Sequence, residues 1–204
     1  MEKQERLQAL MVRVARCRLC PALVESRTQT VFGAGNPDAE FLFVGEAPGR
    51  DEDRLGQPFV GRAGRFLTEL IRLMGFTREQ VFIANVLKCR PDADHGNRPP
   101  EPREMQRCLP FLKEQIEIIE PKVIVALGAT AMLGLTGREV AMTQERGHTR
   151  RFGSLPLVPT FHPAYVLRNP TREIRTLVWT DICRAMELAG YDTDDRVDWV
   201  PGPG

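Results

Sequence analysis

Four apolar runs, each leading into a helix-like segment, set the tightest limit on how this chain can fold. Residues 41–45 (FLFVG), 81–86 (VFIANV), 122–128 (KVIVALG) and 155–163 (LPLVPTFHP) are nearly continuous in apolar side chains rather than alternating. That is the pattern of strands buried on both faces. Residues 2–16 place Leu7, Leu10, Met11 and Val14 at helical spacing. Residues 62–75 put Phe66, Leu67, Leu70, Ile71 and Met74 on one stripe closed by Gly75. Further helices are predicted at about 103–119, 129–134 and 172–189. Strands alternating with helices define an α/β chain: a three-layer α/β/α fold around a central, mainly four-stranded parallel sheet.

A length of 204 residues suits one domain. Residues 1–190 are assigned to it, and the acidic, then Pro/Gly-rich residues 191–204 (YDTDDRVDWVPGPG) to a loosely held tail. There are no internal repeats, and no apolar run is long enough to cross a bilayer, so no membrane association is expected. The opening residues, MEKQERLQAL, are charged and amphipathic and do not resemble a secretory signal, which points to a reducing cytoplasm.

Four of the five cysteines then stand out. Cys17 and Cys20 form a C-x2-C pair beside Pro21, while Cys89 and Cys108 lie far downstream. In a reducing compartment such a set leans towards a metal or catalysis rather than disulfides. Zinc usually gathers two close pairs; one close pair plus two distant cysteines, with proline alongside, leans towards an iron–sulfur cluster. Four unrelated core thiols is the plainer alternative. Cys183, in an apolar helical stretch, reads as an ordinary buried thiol.

The formal charge of +1 advertises no global attraction for nucleic acid. Arg nevertheless far outnumbers Lys, which occurs only as Lys3, Lys88, Lys113 and Lys122. Local clusters occur at Arg13, Arg16 and Arg18, and again at Arg146, His148, Arg150 and Arg151. A solvated face is the commoner explanation for either, ahead of phosphate contacts.

Four polar or aromatic clusters fall at the ends of the expected strands, where α/β sheets bind ligands. The first is Gly45-Glu46-Ala47-Pro48-Gly49, followed by Arg50-Asp51-Glu52-Asp53. The Walker lysine pattern is absent from it. The second, residues 56–64 (GQPFVGRAG), carries Phe59 between glycines and ahead of a helix. There it could stack on a flat ligand or act as a hydrophobic staple. The third is Asn85, a carboxamide inside an apolar strand, able to offer a donor and an acceptor to a base edge. The fourth is His162-Pro163-Ala164-Tyr165-Val166-Leu167-Arg168, directly after the last strand.

Taken together, GEAPGRDED at 45–53, GQPFVGRAG at 56–64, NVLKCRP at 85–91, LGATA at 127–131 and HPAYVLRNP at 162–170 closely resemble the family 4 uracil-DNA glycosylases. The resemblance covers roughly residues 12–189, and related phage-polymerase-type domains share much of it. It implies a [4Fe-4S] cluster on Cys17, Cys20, Cys89 and Cys108 with a structural role. It also implies a repair enzyme that flips uracil out of DNA and hydrolyses the bond from base to deoxyribose. Phe59 would stack on the uracil, Asn85 would pair with N3–H and O4, and Ala47 would line the pocket. Gly49 and Glu52 are the candidates for excluding the 5-methyl of thymine. His162 would donate to O2, where negative charge develops. Another branch of the superfamily has an Asp where Ala47 stands here, so Glu46 is the candidate for orienting the attacking water. Leu167 would wedge into the vacated stack and Arg168 would meet a flanking phosphate. The expected partner is uracil-containing DNA, bound by a monomer.

Two alternatives belong with this reading. A non-catalytic DNA-binding relative would have lost Glu46, Asn85 or His162, and all three are present. A covalent relative captures the sugar through a histidine in a basic loop; His95 occupies such a place, but its neighbours are acidic and Pro-rich, which favours turnover.

Overall fold

The computed structural model of the chain describes residues 2–93 and 96–194. Helix α1 (Lys3–Ala15) buries Leu7, Leu10 and Val14 at helical spacing, and α2 (Pro21–Ser26) starts at Pro21, whose fixed φ suits a first helical turn. A two-residue strand, β1 (Ala34–Gly35), precedes β2 (Phe41–Gly45), in which every position is buried. Helices α3 (Arg50–Leu55) and α4 (Arg62–Leu73) lead to β3 (Phe82–Asn85), again wholly buried. Strands β4 (Asp92–Ala93) and β5 (Gly96–Asn97) pair before α5 (Pro102–Ile119), at whose start Glu104 reaches back to the Glu101 amide at 2.8 Å. Strand β6 (Val123–Leu127) runs into α6 (Ala129–Thr136). The chain continues through α7 (Met142–Glu145), β7 (Arg150–Phe152), β8 (Leu155–Thr160), α8 (Pro163–Arg168) and α9 (Arg172–Leu188).

The main sheet has six strands in the order β1-β3-β2-β6-β8-β7. Its inner four, β3, β2, β6 and β8, are parallel, and the outer two pair antiparallel with their neighbours. The four-stranded parallel core is therefore as expected, with two short edge strands added. Alternation along each strand splits the core into two layers. Leu42, Val44, Ala84, Ile124 and Ala126 face α1, α5 and α6 through Leu10, Ile116 and Met132. Phe41, Phe43, Ile83, Val123 and Val125 face α4 and α9 through Leu67, Ile71, Trp179 and Ile182. This is the three-layer arrangement, and it brings Gly45, Asn85, Gly128 and the residues after Thr160 to one rim of the sheet.

The long elements match their sequence pattern to within a few residues, while the short ones were not anticipated. Helices α2, α3, α7 and α8 are too short for a periodic stripe. Strand β7 lies in the Arg-rich section read as polar, because its Arg150 and Arg151 are exposed at the sheet edge. Charge at an edge strand discourages further strand pairing. His95 and residues 195–204 lie outside the described residues. The first residues of the expected tail are held: the Tyr191 hydroxyl donates to Glu40 at 2.7 Å, and its ring packs on Phe41 and Phe76. Among the described residues no helix is long and apolar enough to cross a membrane.

Helices α7 and α9 are tied by Arg146, the residue that caps α7, which grips Asp181 through Nε at 3.0 Å and Nη2 at 2.6 Å. The Asp181 side chain is fully buried, and burial pushes its carboxyl above the usual carboxylate range. Removing one partner of such a pair strands the other without compensation. Asp181→Ala should lower the unfolding free energy by about 3 kcal/mol, read as a shifted midpoint in urea at unchanged slope.

Candidate active site and four-cysteine centre

A cleft of about 520 Å³ opens at the rim where the parallel strands end. Its floor is made where β2 and β3 finish side by side, with Gly45 paired to Asn85. A Cβ on Gly45 would collide with Asn85 Oδ1 and, at 2.5 Å, with the Phe59 ring. Both side chains thus cross a spot that only glycine leaves empty. Asn85 is 2% exposed, and its Oδ1 is buried without a hydrogen-bond partner. A buried polar atom left unpaired calls for an explanation, and this one lines a cleft where a ligand could meet it.

Phe59 is held in the left-handed region at φ 52°, an unusual conformation for a bulky residue. The staple interpretation fails on register: α4 is capped by Gly61, so the staple position belongs to Val60. Phe59 instead turns inward, with its ring centroid 5.8 Å from that of His162. The loop carrying it is clamped from both sides. Glu52 Oε1 accepts from the amides of Val60 (2.9 Å) and Gly61 (3.0 Å), and Arg78 donates to the Pro58 carbonyl at 2.7 Å. The other Glu52 oxygen stands 2.6 Å from where a Gly49 Cβ would be, so Glu52 and Gly49 form one wall.

His162 caps α8. Its Nδ1 accepts from the Ala164 amide at 3.1 Å, which leaves the ring proton on Nε2. Burial first, and the charge of Arg168 second, push its pKa down to about 4. The imidazole is therefore a neutral donor at physiological pH. Gly128, at φ 93°, gives it room: a Cβ there would lie 3.0 Å from that of His162.

Of the expected residues, Glu46, Ala47, Gly49, Glu52, Phe59, Asn85, His162 and Arg168 all line this one cleft. Leu167 does not; it is half-buried on α8. Sequence reasoning passed over Arg50 and Arg62, which also line the cleft, are exposed, and make no ion pair with a described residue. It also passed over Asn97 on β5, whose amide Nδ2 reaches within 3.5 Å of the Gly49 Cβ position, and whose Oδ1 accepts from Arg90 at 2.7 Å. Their positions in the strand-end clusters at 45–53 and 56–64 were the signal that could have found the first two.

Cys17, Cys20, Cys89 and Cys108 come from the end of α1, the cap of α2, the segment after β3 and helix α5, yet line one small cavity of about 20 Å³. No disulfide joins them. Among the described residues no three His, Cys, Asp or Glu side chains are gathered closely enough to hold a single metal ion. The sulfurs instead surround a space walled by Leu23 and Leu87. Donors point at them: Arg27 Nη1 lies 3.0 Å from Cys89 Sγ and the Lys88 amide 3.2 Å from Cys108 Sγ. Burial raises the thiol pKa values of Cys20, Cys89 and, to about 12, Cys108. Such thiols stay protonated unless a metal supplies compensating charge. An all-sulfur donor set with cationic and amide neighbours fits an iron–sulfur cluster. Cys183 is buried in α9, as expected.

Residues 32–183 match the Uracil DNA glycosylase superfamily, which places the fold and its rim cleft in that class of protein. The chain is 49% identical over 185 residues to the type-4 uracil-DNA glycosylase of Thermotoga maritima, covering 90% of this chain and 94% of that protein. It is 41% identical over 204 residues to the type-4 enzyme of Archaeoglobus fulgidus, covering 96% of this chain and all of that protein. The corresponding figure for Sulfurisphaera tokodaii is 39% over 205 residues. The chain belongs to the type-4 uracil-DNA glycosylases.

Gly45→Ala tests the cleft floor. The added methyl should displace Asn85 and Phe59 while leaving the strand pairing intact. Base-excising activity should fall by about 100-fold or more at a stability cost of about 1–3 kcal/mol, read by single-turnover assay and urea unfolding.

Proposed function

We propose that this cleft takes a uracil flipped from DNA and hydrolyses its N-glycosidic bond, leaving an abasic site. The observation that carries this reading is the unpartnered, buried Asn85 Oδ1 at the cleft floor. Extracting a base from the stack costs on the order of a few kcal/mol, and stacking on Phe59 replaces part of what is lost. Asn85 Oδ1 accepts from uracil N3–H and its NH2 donates to O4. Cytosine presents the reverse pattern there and would leave both groups mismatched. Ala47 lines the pocket, and the wall of Gly49 and Glu52 excludes the 5-methyl of thymine.

In the reaction the C1′–N1 bond breaks with its electron pair passing to the uracil ring, and the sugar acquires oxocarbenium character. Neutral His162 donates through Nε2–H to O2, where the charge accumulates. A preorganised donor of this kind is worth about 3–4 kcal/mol. Glu46 orients the water that adds to C1′. The water's proton passes to solvent, and the uracil anion takes one up after release. Arg50, Arg62 and Arg168 at the cleft mouth meet phosphates on either side of the flipped nucleotide, and Leu167 fills the gap in the stack.

The cysteine centre lies outside these steps. Cys17, Cys20, Cys89 and Cys108 would hold the cluster, whose contribution is a cross-link joining α1 and α2 to the segment behind Asn85.

The direct test uses an end-labelled oligonucleotide with one uracil, treated with alkali after incubation with the iron-loaded protein. Wild type should give strand scission and Asn85→Ala should lose it; intact DNA with wild type would overturn the assignment. The arginine cluster is tested by salt. Arg62→Ala should weaken binding to abasic DNA and lower the slope of log affinity against log salt by about 1, measured by fluorescence anisotropy.

A further inference from the structure

Lys88 stands out because no step of the proposed reaction uses it. It lies between pocket residue Asn85 and cluster candidate Cys89, and is 1% exposed. No carboxylate of a described residue pairs with it. Its Nζ donates to the Asn85 main-chain carbonyl at 2.9 Å and to Gln115 Oε1 at 2.5 Å. Gln115, itself fully buried on α5, donates through Nε2 to the Phe32 carbonyl at 3.0 Å. The Lys88 carbonyl accepts from the Val31 amide at 2.8 Å, and its amide points at Cys108 Sγ.

Burying a long cation without an anion is costly, and a methionine would fill the same space at less cost. The geometry around it is specific. Asn85 ends β3, where the ladder to β1, which stops at Ile83, does not reach, and its neighbours Val86 and Leu87 bond back to Gly45 and Glu46. The ammonium supplies the remaining hold, on the carbonyl of the very residue whose side chain reads the base.

We infer that Lys88, held by Gln115, is a positioning residue for base recognition, fixing the Asn85 peptide so that its amide lies in the plane of the flipped uracil. The inference rests on the role proposed for Asn85. Lys88 touches neither base nor sugar, and acts through that one carbonyl. Through its own amide and Gln115 it also makes α5, which carries Cys108, part of the pocket's support.

The test compares iron-loaded wild type, Lys88→Met, Gln115→Met and Asn85→Ala. Four quantities are read: excision of uracil in single turnover, inhibition by free uracil, affinity for abasic DNA, and visible absorbance of the cluster. Support for the inference is a fall in excision by about 10–100-fold in Lys88→Met and a smaller fall in Gln115→Met. Inhibition by free uracil should weaken in parallel, while abasic-DNA affinity and absorbance stay near wild type. A purely structural lysine would lower thermal stability and leave uracil inhibition of the folded protein unchanged, and that result overturns it. Should Lys88→Met not fold, Gln115→Met, which leaves every neighbour of Asn85 in place, decides by the same readings. Normal excision by both methionine variants alongside a dead Asn85→Ala refutes this inference alone; an inactive wild type refutes the proposed function and this inference with it.

Discussion

The parallel pairing of Gly45 with Asn85 is the contact on which the cleft depends. Because successive residues of a strand face opposite ways, a slip of one position would turn Asn85 into a helix layer and replace it with an alanine. The register is secured by the layers themselves. Phe41 and Phe43 on one face and Leu42 and Val44 on the other are all completely buried, so no shifted pairing leaves them equally covered. Beyond the last ladder bond the amides of Val86 and Leu87 continue the pairing to Gly45 and Glu46. A hydrophobic requirement thereby becomes a positional one at the strand ends.

Around that floor, polar groups are spent on holding backbone rather than on one another. Glu52 and Arg78 fix the loop of Phe59 in a conformation it would not adopt alone, His162 is fixed by the cap of its own helix, and Lys88 holds the Asn85 carbonyl. Among the described residues, the cleft groups left without partners include Asn85 Oδ1 on the floor and the exposed arginines at the mouth. Saturated supports beneath unsatisfied reading groups are what preorganisation requires, since a ligand then meets donors and acceptors that need not rearrange.

The fold was legible because its strands are buried on both faces, and continuous apolar runs such as FLFVG announce that directly. The four cysteines were legible as a set because thiols are scarce and one close pair with two distant partners is an unusual spacing. Asn85 was legible as a lone carboxamide in an apolar strand. The short helices, the edge strands and the clamp formed by Glu52 were not, because each depends on a partner many residues away rather than on a local pattern. Glu52 was read only as a candidate for excluding the 5-methyl of thymine, and the structure makes it the brace of the Phe59 loop.

What the sequence determined by itself is the layered α/β architecture and the kind of residue available at each strand end, since periodicity and burial follow from local order and composition. The tertiary structure decided which of those residues meet. It gathered eight of the expected residues into one cleft and left Leu167 outside it. It brought Arg50 and Arg62 to the same mouth, and it put Lys88 beneath Asn85. These outcomes rest on register, loop conformation and long-range hydrogen bonds, which come from the closure of the whole sheet and are written in no single stretch of chain.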